Sequence, residues 1–218
     1  MARRALILWG GWEGHEPRAV AEIFRSVLAG NGFDVVLADS LDALLGDRLD
    51  ELSLIVPVWT MGEIGDLELA NLCRAVEAGV GLAGCHGGMG DSFRDAVDYQ
   101  FMCGGQWVAH PGNVIDYRVD VTRPDDPVMQ GIESFPYRSE QYYMHVDPSN
   151  TVLATTSFPV ADGPHVANGP FEMPVAWTRR HGEGRVFYCS LGHDAKIAAL
   201  PPVLELCTRG LLWAARAE

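Results

Sequence analysis

The chain has 218 residues, of which 48% are hydrophobic, enough for one well-filled core and short for two, so we expect a single domain over residues 1–218. Its 29 acidic and 16 basic residues give a net charge of −13, which repels nucleic-acid phosphates and argues against nucleic acid as a partner. No apolar stretch approaches the ~20 residues of a membrane helix, and the start, MARRALILWGGWEG, shows no signal-peptide cleavage pattern, so we expect a soluble cytoplasmic protein without membrane contacts.

The first 85 residues alternate short apolar runs with amphipathic segments. The runs predict strands over residues 5–10, 34–38, 52–58 and 80–85. Apolar side chains at helical spacing predict one helix from Pro17 to Gly30 or Gly32, and a second over residues 67–79. Strands that are apolar on both faces and separated by such helices indicate a mainly parallel α/β sheet with helices on both faces.

The character of the chain changes after about residue 112. Strands are predicted over residues 115–122 and 151–158, followed by a β-hairpin over residues 174–192 whose turn contains the sequence HGEG. A final helix over residues 201–217 begins with two prolines and has an apolar face. The Pro- and Gly-rich segment 161–174 is long enough to predict a lid or rim over a site.

Histidines follow three of the predicted strands at their carboxyl ends. His15 follows the first strand, His86 the fourth and His193 the last. Ligands of open parallel sheets bind at that edge, because loops and helix N-termini converge there. We therefore expect these three imidazoles to share one cleft. Trp12 and Trp107, both predicted in loops, are candidates for lining a ligand pocket with their aromatic faces.

The sequence GLAGCHGGMG, residues 81–90, has the small flanking residues of a nucleophile elbow, a strained turn that exposes one side chain. Either Cys85 or His86 fits the apex, because each has a small residue two positions away on both sides. At the apex, Cys85 would be a nucleophile activated by His193. His86 at the apex would instead act as an acid, a base or a metal ligand.

Several motifs together resemble the ThuA-like, or trehalose-utilisation, proteins. They are GLAGCHGG, FMCGGQWVAHPG (101–112), SEQYY (139–143), PVAW…GEGRVFYCSLGHD (174–194) and the closing LLWAA, and they extend over nearly the whole chain. The resemblance implies a flavodoxin-like, doubly wound fold of the class I glutamine-amidotransferase-like superfamily. It also implies that His86 stands where true amidotransferases have their nucleophilic cysteine, so that amidotransferase activity is not expected.

The resemblance also implies the site residues. His15, His86, Glu140 and His193 match the polar positions of the family, with Tyr142 and His110 as further matches and His145 and Asp147 in reserve. This sequence departs from some relatives in having no second histidine near the elbow after His86. If a metal site used a histidine at that place, this chain would have to supply the ligand from another position.

Three imidazoles and a carboxylate at one point suit a divalent metal, Zn²⁺ first, with Mn²⁺ or Fe²⁺ as alternatives. The same residues without metal would form an acid–base pair beside a sugar carbonyl. In either case His86, His193 and Glu140 are the predicted catalytic residues, and His15 joins them as a predicted metal ligand.

The leading hypothesis is an enzyme that acts on a small carbohydrate, such as a sugar or an oxidised (keto) glycoside, by hydrolysis, elimination or isomerisation. The second hypothesis is a non-catalytic sugar-binding or accessory subunit of a sugar dehydrogenase system. A small-molecule carbohydrate is thus the expected partner. A homodimer is common among compact α/β proteins, and the oligomeric state stays open.

Overall fold

The computed structural model describes residues 3–216, so residues 1, 2, 217 and 218 of the predicted domain lie outside the described part. In chain order the elements are β1 (Arg3–Gly11), α1 (Pro17–Gly30), β2 (Phe33–Ala38), β3 (Leu54–Thr60), α2 (Asp66–Glu77), β4 (Gly81–Cys85), α3 (His86–Gly90), α4 (Val97–Cys103), β5 (Gly105–Ala109), β6 (Val114–Val121), β7 (Phe135–Glu140), β8 (Tyr143–Val146), β9 (Thr151–Phe158), β10 (Phe171–His181), β11 (Gly184–Cys189), α5 (Ala195–Ala198) and α6 (Pro201–Ala214). Among residues 3–216, no helix is both long and apolar enough to cross a membrane.

The main sheet begins with a parallel half in the order β2-β1-β3-β4-β11. Each neighbouring pair in this half is parallel. The first four strands follow the flavodoxin-like order, and β11, the second strand of the hairpin, takes the fifth place. The predicted α/β fold with helices on both faces is therefore confirmed.

The hairpin also begins an antiparallel half. β10 pairs with β11, and the sheet continues through β9, β6 and β7 to a total of nine strands. A separate two-stranded sheet is formed by β5 and β8. The predicted hairpin is correct, whereas β5, β7 and β8 were not predicted because their sequences, such as GQWVA and FPYRSE, mix polar, aromatic and glycine or proline residues.

Two hydrophobic cores lie on opposite faces of the sheet. Along β1, Ile7 joins the core that includes apolar residues of α1 and α6, and the next residue, Leu8, joins the core that includes α2 and α4. This alternation follows from the two-residue period of a strand. Because both faces are covered, polar chemistry is confined to the ends of the strands.

The observed boundaries differ from the predicted ones at the end of β3, around the predicted rim and Trp107, and at the end of α6. The strand predicted over residues 52–58 runs to Thr60, which brings a polar side chain to its carboxyl end. The predicted rim segment 161–174 gives its last residues to β10, and Trp107 lies in β5 rather than in a loop. The final helix ends at Ala214, and the last residue of its predicted range lies outside the described residues.

Gly210 provides a test of how closely α6 packs on the sheet. A methyl group at position 210 would overlap the ring of Phe187, which is buried. Gly210→Ala is therefore expected to lower the free energy of unfolding by about 1–3 kcal/mol. The clash outweighs the roughly 1 kcal/mol by which alanine is preferred to glycine inside a helix.

Urea unfolding followed by circular dichroism measures this difference. The matched control is Gly30→Ala at the end of α1, where an added methyl group meets no atom within 4 Å. The control is expected to leave stability unchanged or to raise it by up to about 1 kcal/mol, because Gly30 is the last residue of the helix. An unchanged unfolding midpoint for Gly210→Ala would contradict the described packing.

Candidate functional site

Four side chains from distant parts of the chain meet at the carboxyl edge of the parallel half. His15 follows β1, His86 follows β4, His193 follows β11, and Glu140 ends β7. One ligand atom from each residue lies within 4.8 Å of the other three. The structure therefore brings together the three histidines and the carboxylate that the sequence singled out, and this group could hold a metal ion.

The apex of the elbow is His86. Its φ is 47°, a left-handed conformation that costs a non-glycine residue on the order of 1–3 kcal/mol. Cys85 is extended, with φ at −138°, and its side chain is buried in the core on the α1 side. A Cβ at Gly84 would come within 2.7 Å of Met89 Cβ, which explains why this flank is glycine.

A backbone carbonyl fixes the tautomer of His86. Its Nδ1 lies 2.8 Å from the Ser190 carbonyl oxygen, which can only accept a hydrogen bond, so Nδ1 carries the proton and donates it. The Nε2 atom of the neutral ring then bears a lone pair that is directed into the group. Tyr142 stacks on the imidazole with ring centroids 4.0 Å apart. The hydrogen bond to Ser190 and this stacking together fix the orientation of the ring.

The Nε2 lone pair of His86 faces a carboxylate oxygen and the nitrogen of a second imidazole. Nε2 is 3.2 Å from Glu140 Oε2 and 3.2 Å from His193 Nδ1, and these two atoms are 3.3 Å from each other. Three lone pairs at these distances would repel one another, so a proton or a metal cation must lie among them. A proton on His193 Nδ1 or a metal cation meets this requirement.

His15 is held as a neutral ring. It ends the short 3₁₀ turn after β1, is 8% exposed, and its Nδ1 is hydrogen-bonded to Thr60 Oγ1 at 2.8 Å. Its ring packs so closely on the elbow that a Cβ at Gly87 would lie 2.6 Å from its Cε1 atom. Burial, together with the neighbouring His86 and His193, lowers the pKa of His15 to about 3. A neutral imidazole is the form that binds metal.

Glu140 and His193 form the charged part of the group. Burial alone would raise the pKa of Glu140, but the favourable interaction of its carboxylate with His193 and His86 in their protonated forms outweighs burial and holds that pKa well below its usual range. The same hydrogen bond with Glu140 raises the pKa of His193, against the effect of burial. Burial lowers the pKa of His86, although Glu140 and the Ser190 carbonyl would stabilise the protonated ring and so oppose this.

Two tyrosines connect β7, which carries Glu140, to the rest of the sheet. The Tyr117 hydroxyl donates to the Glu140 carbonyl at 3.1 Å. The backbone N–H of Gly192 donates to the Tyr137 hydroxyl at 3.1 Å. The first bond ties the backbone at Glu140 to β6, and the second ties β7 to the loop that carries His193.

The remaining candidates divide between the surroundings of the group and distant positions. His110 Nε2 lies 3.7 Å from the second carboxylate oxygen of Glu140, and Tyr142 stacks on His86, so both border the group. His145 is exposed on β8, and Asp147 pairs with Arg179 and binds Ser149. Neither His145 nor Asp147 belongs to the group.

Sequence reasoning missed two residues that orient the imidazoles. Thr60 holds His15, and a strand prediction extended by two residues would have placed it at the sheet edge. Ser190 acts through its backbone carbonyl, which any residue type supplies, so no side-chain signal exists for it.

Comparisons with known proteins agree with this architecture. The family model described as ThuA, trehalose utilisation, matches residues 4–214. A protein described as ThuA-like from Parabacteroides merdae ATCC 43184 is similar with a TM-score of 0.75 and 17% identity over 98% of this chain and 89% of that one. A second protein described as ThuA-like, from Bacteroides uniformis ATCC 8492, is similar with a TM-score of 0.78 and 19% identity over 97% of this chain and 91% of that one.

A larger protein shares the fold in part. The β-galactosidase from Bacillus circulans sp. alkalophilus aligns with 98% of this chain and 30% of its own, with a TM-score of 0.59 and 15% identity. At such identities these structures show similarity of fold alone. No curated protein matches the chain.

The charge distribution within the group predicts a titration pattern for the metal-free protein. After treatment with a chelator, His193 is expected to titrate at a higher pH than a free histidine, and His15 to stay neutral down to about pH 3. Glu140→Gln removes the charge that favours protonated His193, so the pKa of His193 should fall. Histidine NMR signals followed against pH measure these values.

The control is Glu172→Gln, which removes an exposed carboxylate of β10 that binds Ser157 instead of the group. It should leave the titration of His193 unchanged. A pKa of His193 that does not respond to Glu140→Gln would contradict the described pairing.

Proposed function

The chain belongs to the ThuA, trehalose-utilisation family, and from that premise we propose that it is a metal-dependent enzyme acting on a sugar or an oxidised (keto) glycoside. The observation that carries the proposal is the convergence of three imidazoles and one carboxylate, with one ligand atom from each of His15, His86, Glu140 and His193 within 4.8 Å of the others. Clustered, partly buried titratable groups with shifted pKa values are typical of functional sites.

The donor atoms fit a small divalent ion. Zn²⁺ with tetrahedral bonds of 2.0–2.1 Å to nitrogen would hold its donors roughly 3.3 Å apart. The three distances of 3.2, 3.2 and 3.3 Å match this spacing, and His15 lies within 4.8 Å as the fourth member. Three imidazoles and one carboxylate support Zn²⁺ as the first candidate, with Mn²⁺ or Fe²⁺ as alternatives.

The surroundings of the donors also suit metal binding. Metal-bound histidines usually donate their other N–H to a carbonyl or a carboxylate, which fixes the ring. His86 makes such a bond to the Ser190 carbonyl, and His15 is held by Thr60. When bound, the ion would supply a Lewis acid that polarises a sugar carbonyl or hydroxyl.

The four residues would divide the work according to their environments. Glu140 has a depressed pKa and is therefore a weak base, which favours a role as ligand. His86 is 2% exposed and serves to anchor the group, whereas the His193 side chain is 20% exposed and borders the space open to a substrate. His110, 30% exposed and next to Glu140, is placed to exchange protons with that substrate.

Hydrolysis, elimination and isomerisation of a keto sugar share a need for a polarised oxygen and a nearby proton carrier. The group and His110 would provide both. Amidotransferase chemistry lacks support, because the apex residue is His86 and the thiol of Cys85 is buried in the core.

Metal analysis tests the proposal directly. Purified protein is expected to contain about one equivalent of divalent metal by elemental analysis. His86→Ala should lower the affinity by more than the roughly 10–100-fold that loss of an outer-shell partner costs. Glu140→Gln should weaken binding as well, because it removes the only anionic donor of the group.

The control is His145→Ala, which removes an exposed imidazole outside the group and should leave the metal content unchanged. Absence of metal, with sugar binding unaffected by His86→Ala, would contradict the proposal and favour the accessory-subunit hypothesis.

Activity provides an independent test. The metal-loaded protein is expected to convert chemically oxidised trehalose, with the products followed by NMR, and to lose that activity on treatment with a chelator. His86→Ala should reduce kcat/KM by at least about 100-fold, whereas His145→Ala should leave it within about twofold. Equal rates in the His86→Ala variant would exclude a catalytic role for the group.

A further inference from the structure

A cavity of about 560 Å³ opens beside the group of four. Its walls come from β5, the turn after it, the start of β8 and residues 162–165, and include Trp107, His110, Pro111, Tyr143, Pro164 and His165. The volume is typical of sites for small organic ligands. Part of the segment predicted as a rim, residues 161–174, therefore does line a space next to the group.

Aromatic rings connect this cavity with the group. His110, in the cavity wall, lies 3.7 Å from Glu140. The ring of Tyr142 stacks on His86 with centroids 4.0 Å apart, and its centroid is 6.1 Å from that of Trp107. A ligand that touches His110 from the cavity is thus close to the Glu140 carboxylate.

The cavity wall is mainly carbon. Besides Trp107 and Tyr143 it includes two prolines, Val108 and Ala109. The Nε1 atom of Trp107 is buried within the protein, so the indole presents carbon to the cavity. The Arg94 guanidinium lies 4.9 Å from the centroid of the Trp107 ring and helps to fix its position.

The apolar wall distinguishes between two kinds of group that a glycoside can carry on its sugar ring. Asn113 and Asp162 also line the cavity, but most of the surface it exposes is carbon, so a second sugar ring would leave several of its hydroxyls unpaired, and unpaired hydroxyls are costly to bury. A flat apolar group would bury its faces against Trp107, Tyr143 and the prolines at no such cost.

We propose that the cavity is the aglycone subsite, and that the protein takes glycosides with a flat, apolar aglycone in preference to disaccharides. The inference rests on the proposed function in one respect, since it places the sugar ring of the same ligand at the group of four. His110 then lies at the junction between sugar and aglycone.

Binding of three probes to the full chain tests the inference. Phenyl α-D-glucopyranoside, methyl α-D-glucopyranoside and trehalose are titrated by calorimetry, with saturation-transfer NMR to detect weak binding. The phenyl glucoside is expected to bind at least about tenfold more tightly than either of the others, because the cavity buries its ring. Metal content is measured on the same samples.

Filling the cavity should remove this preference. Ala109→Phe places a ring in the cavity wall, and the affinity for the phenyl glucoside is expected to fall to within about twofold of that for the methyl glucoside. The matched control is Ala43→Phe, an equally half-buried position in the wall of another cavity, which should keep the preference. Val108→Asp, at a position that is 42% exposed, puts a charge in the same wall and decides the question if Ala109→Phe does not fold.

The outcomes separate the two proposals. Equal or tighter binding of trehalose, equal weakening of all probes by Ala109→Phe, or no binding of any probe would overturn the aglycone subsite. A phenyl preference that depends on Ala109, in a protein without metal, would uphold the subsite and contradict the proposed function. Metal at full stoichiometry without a preference for the phenyl glucoside would support the proposed function and contradict the aglycone subsite.

Discussion

The hydrogen bond from His86 Nδ1 to the Ser190 carbonyl is the constraint on which the site depends. It follows from the sheet: β4 and β11 are parallel neighbours with Cys85 opposite Cys189, so the residues that follow the two strands lie side by side. The bond fixes the proton on one nitrogen and directs the lone pair of the other at Glu140 and His193. The register of two central strands thus determines the chemistry of an imidazole at their ends.

The site combines two features that reduce stability. His86 has a strained backbone, which costs on the order of 1–3 kcal/mol, and a carboxylate and imidazole nitrogens are crowded together and partly desolvated at the edge of the core. Proteins retain such features where function requires them. With a cysteine at the apex, the same turn would present a nucleophile. With His86 there, it presents an imidazole, and the thiol of the neighbouring Cys85 is buried in the core.

Sequence patterns predicted the parts of the molecule that hydrophobic burial determines. The strands of the parallel half, α1 and the hairpin have long apolar runs or clear helical spacing, and topology alone placed His15, His86 and His193 at one edge. Glu140 came only from the family resemblance, because it ends an edge strand whose sequence, FPYRSE, lacks a strand pattern. Ser190 could not be found at all, since a backbone carbonyl has no signature in the sequence.

The two halves of the main sheet, with the small sheet beside them, separate chemistry from specificity. The parallel half supplies three of the four donors from the loops after β1, β4 and β11, whereas β5 and β8 form much of the cavity wall. The group of four and the cavity meet at two residues. Nε2 of His110, which follows β5, lies 3.7 Å from Oε1 of Glu140, which ends β7. Because His86 and His15 are oriented by Ser190 and Thr60, which do not line the cavity, a substitution in the cavity wall need not disturb these two imidazoles. Under the proposed function, this arrangement would let the group attached to the sugar change while the four donors stay the same.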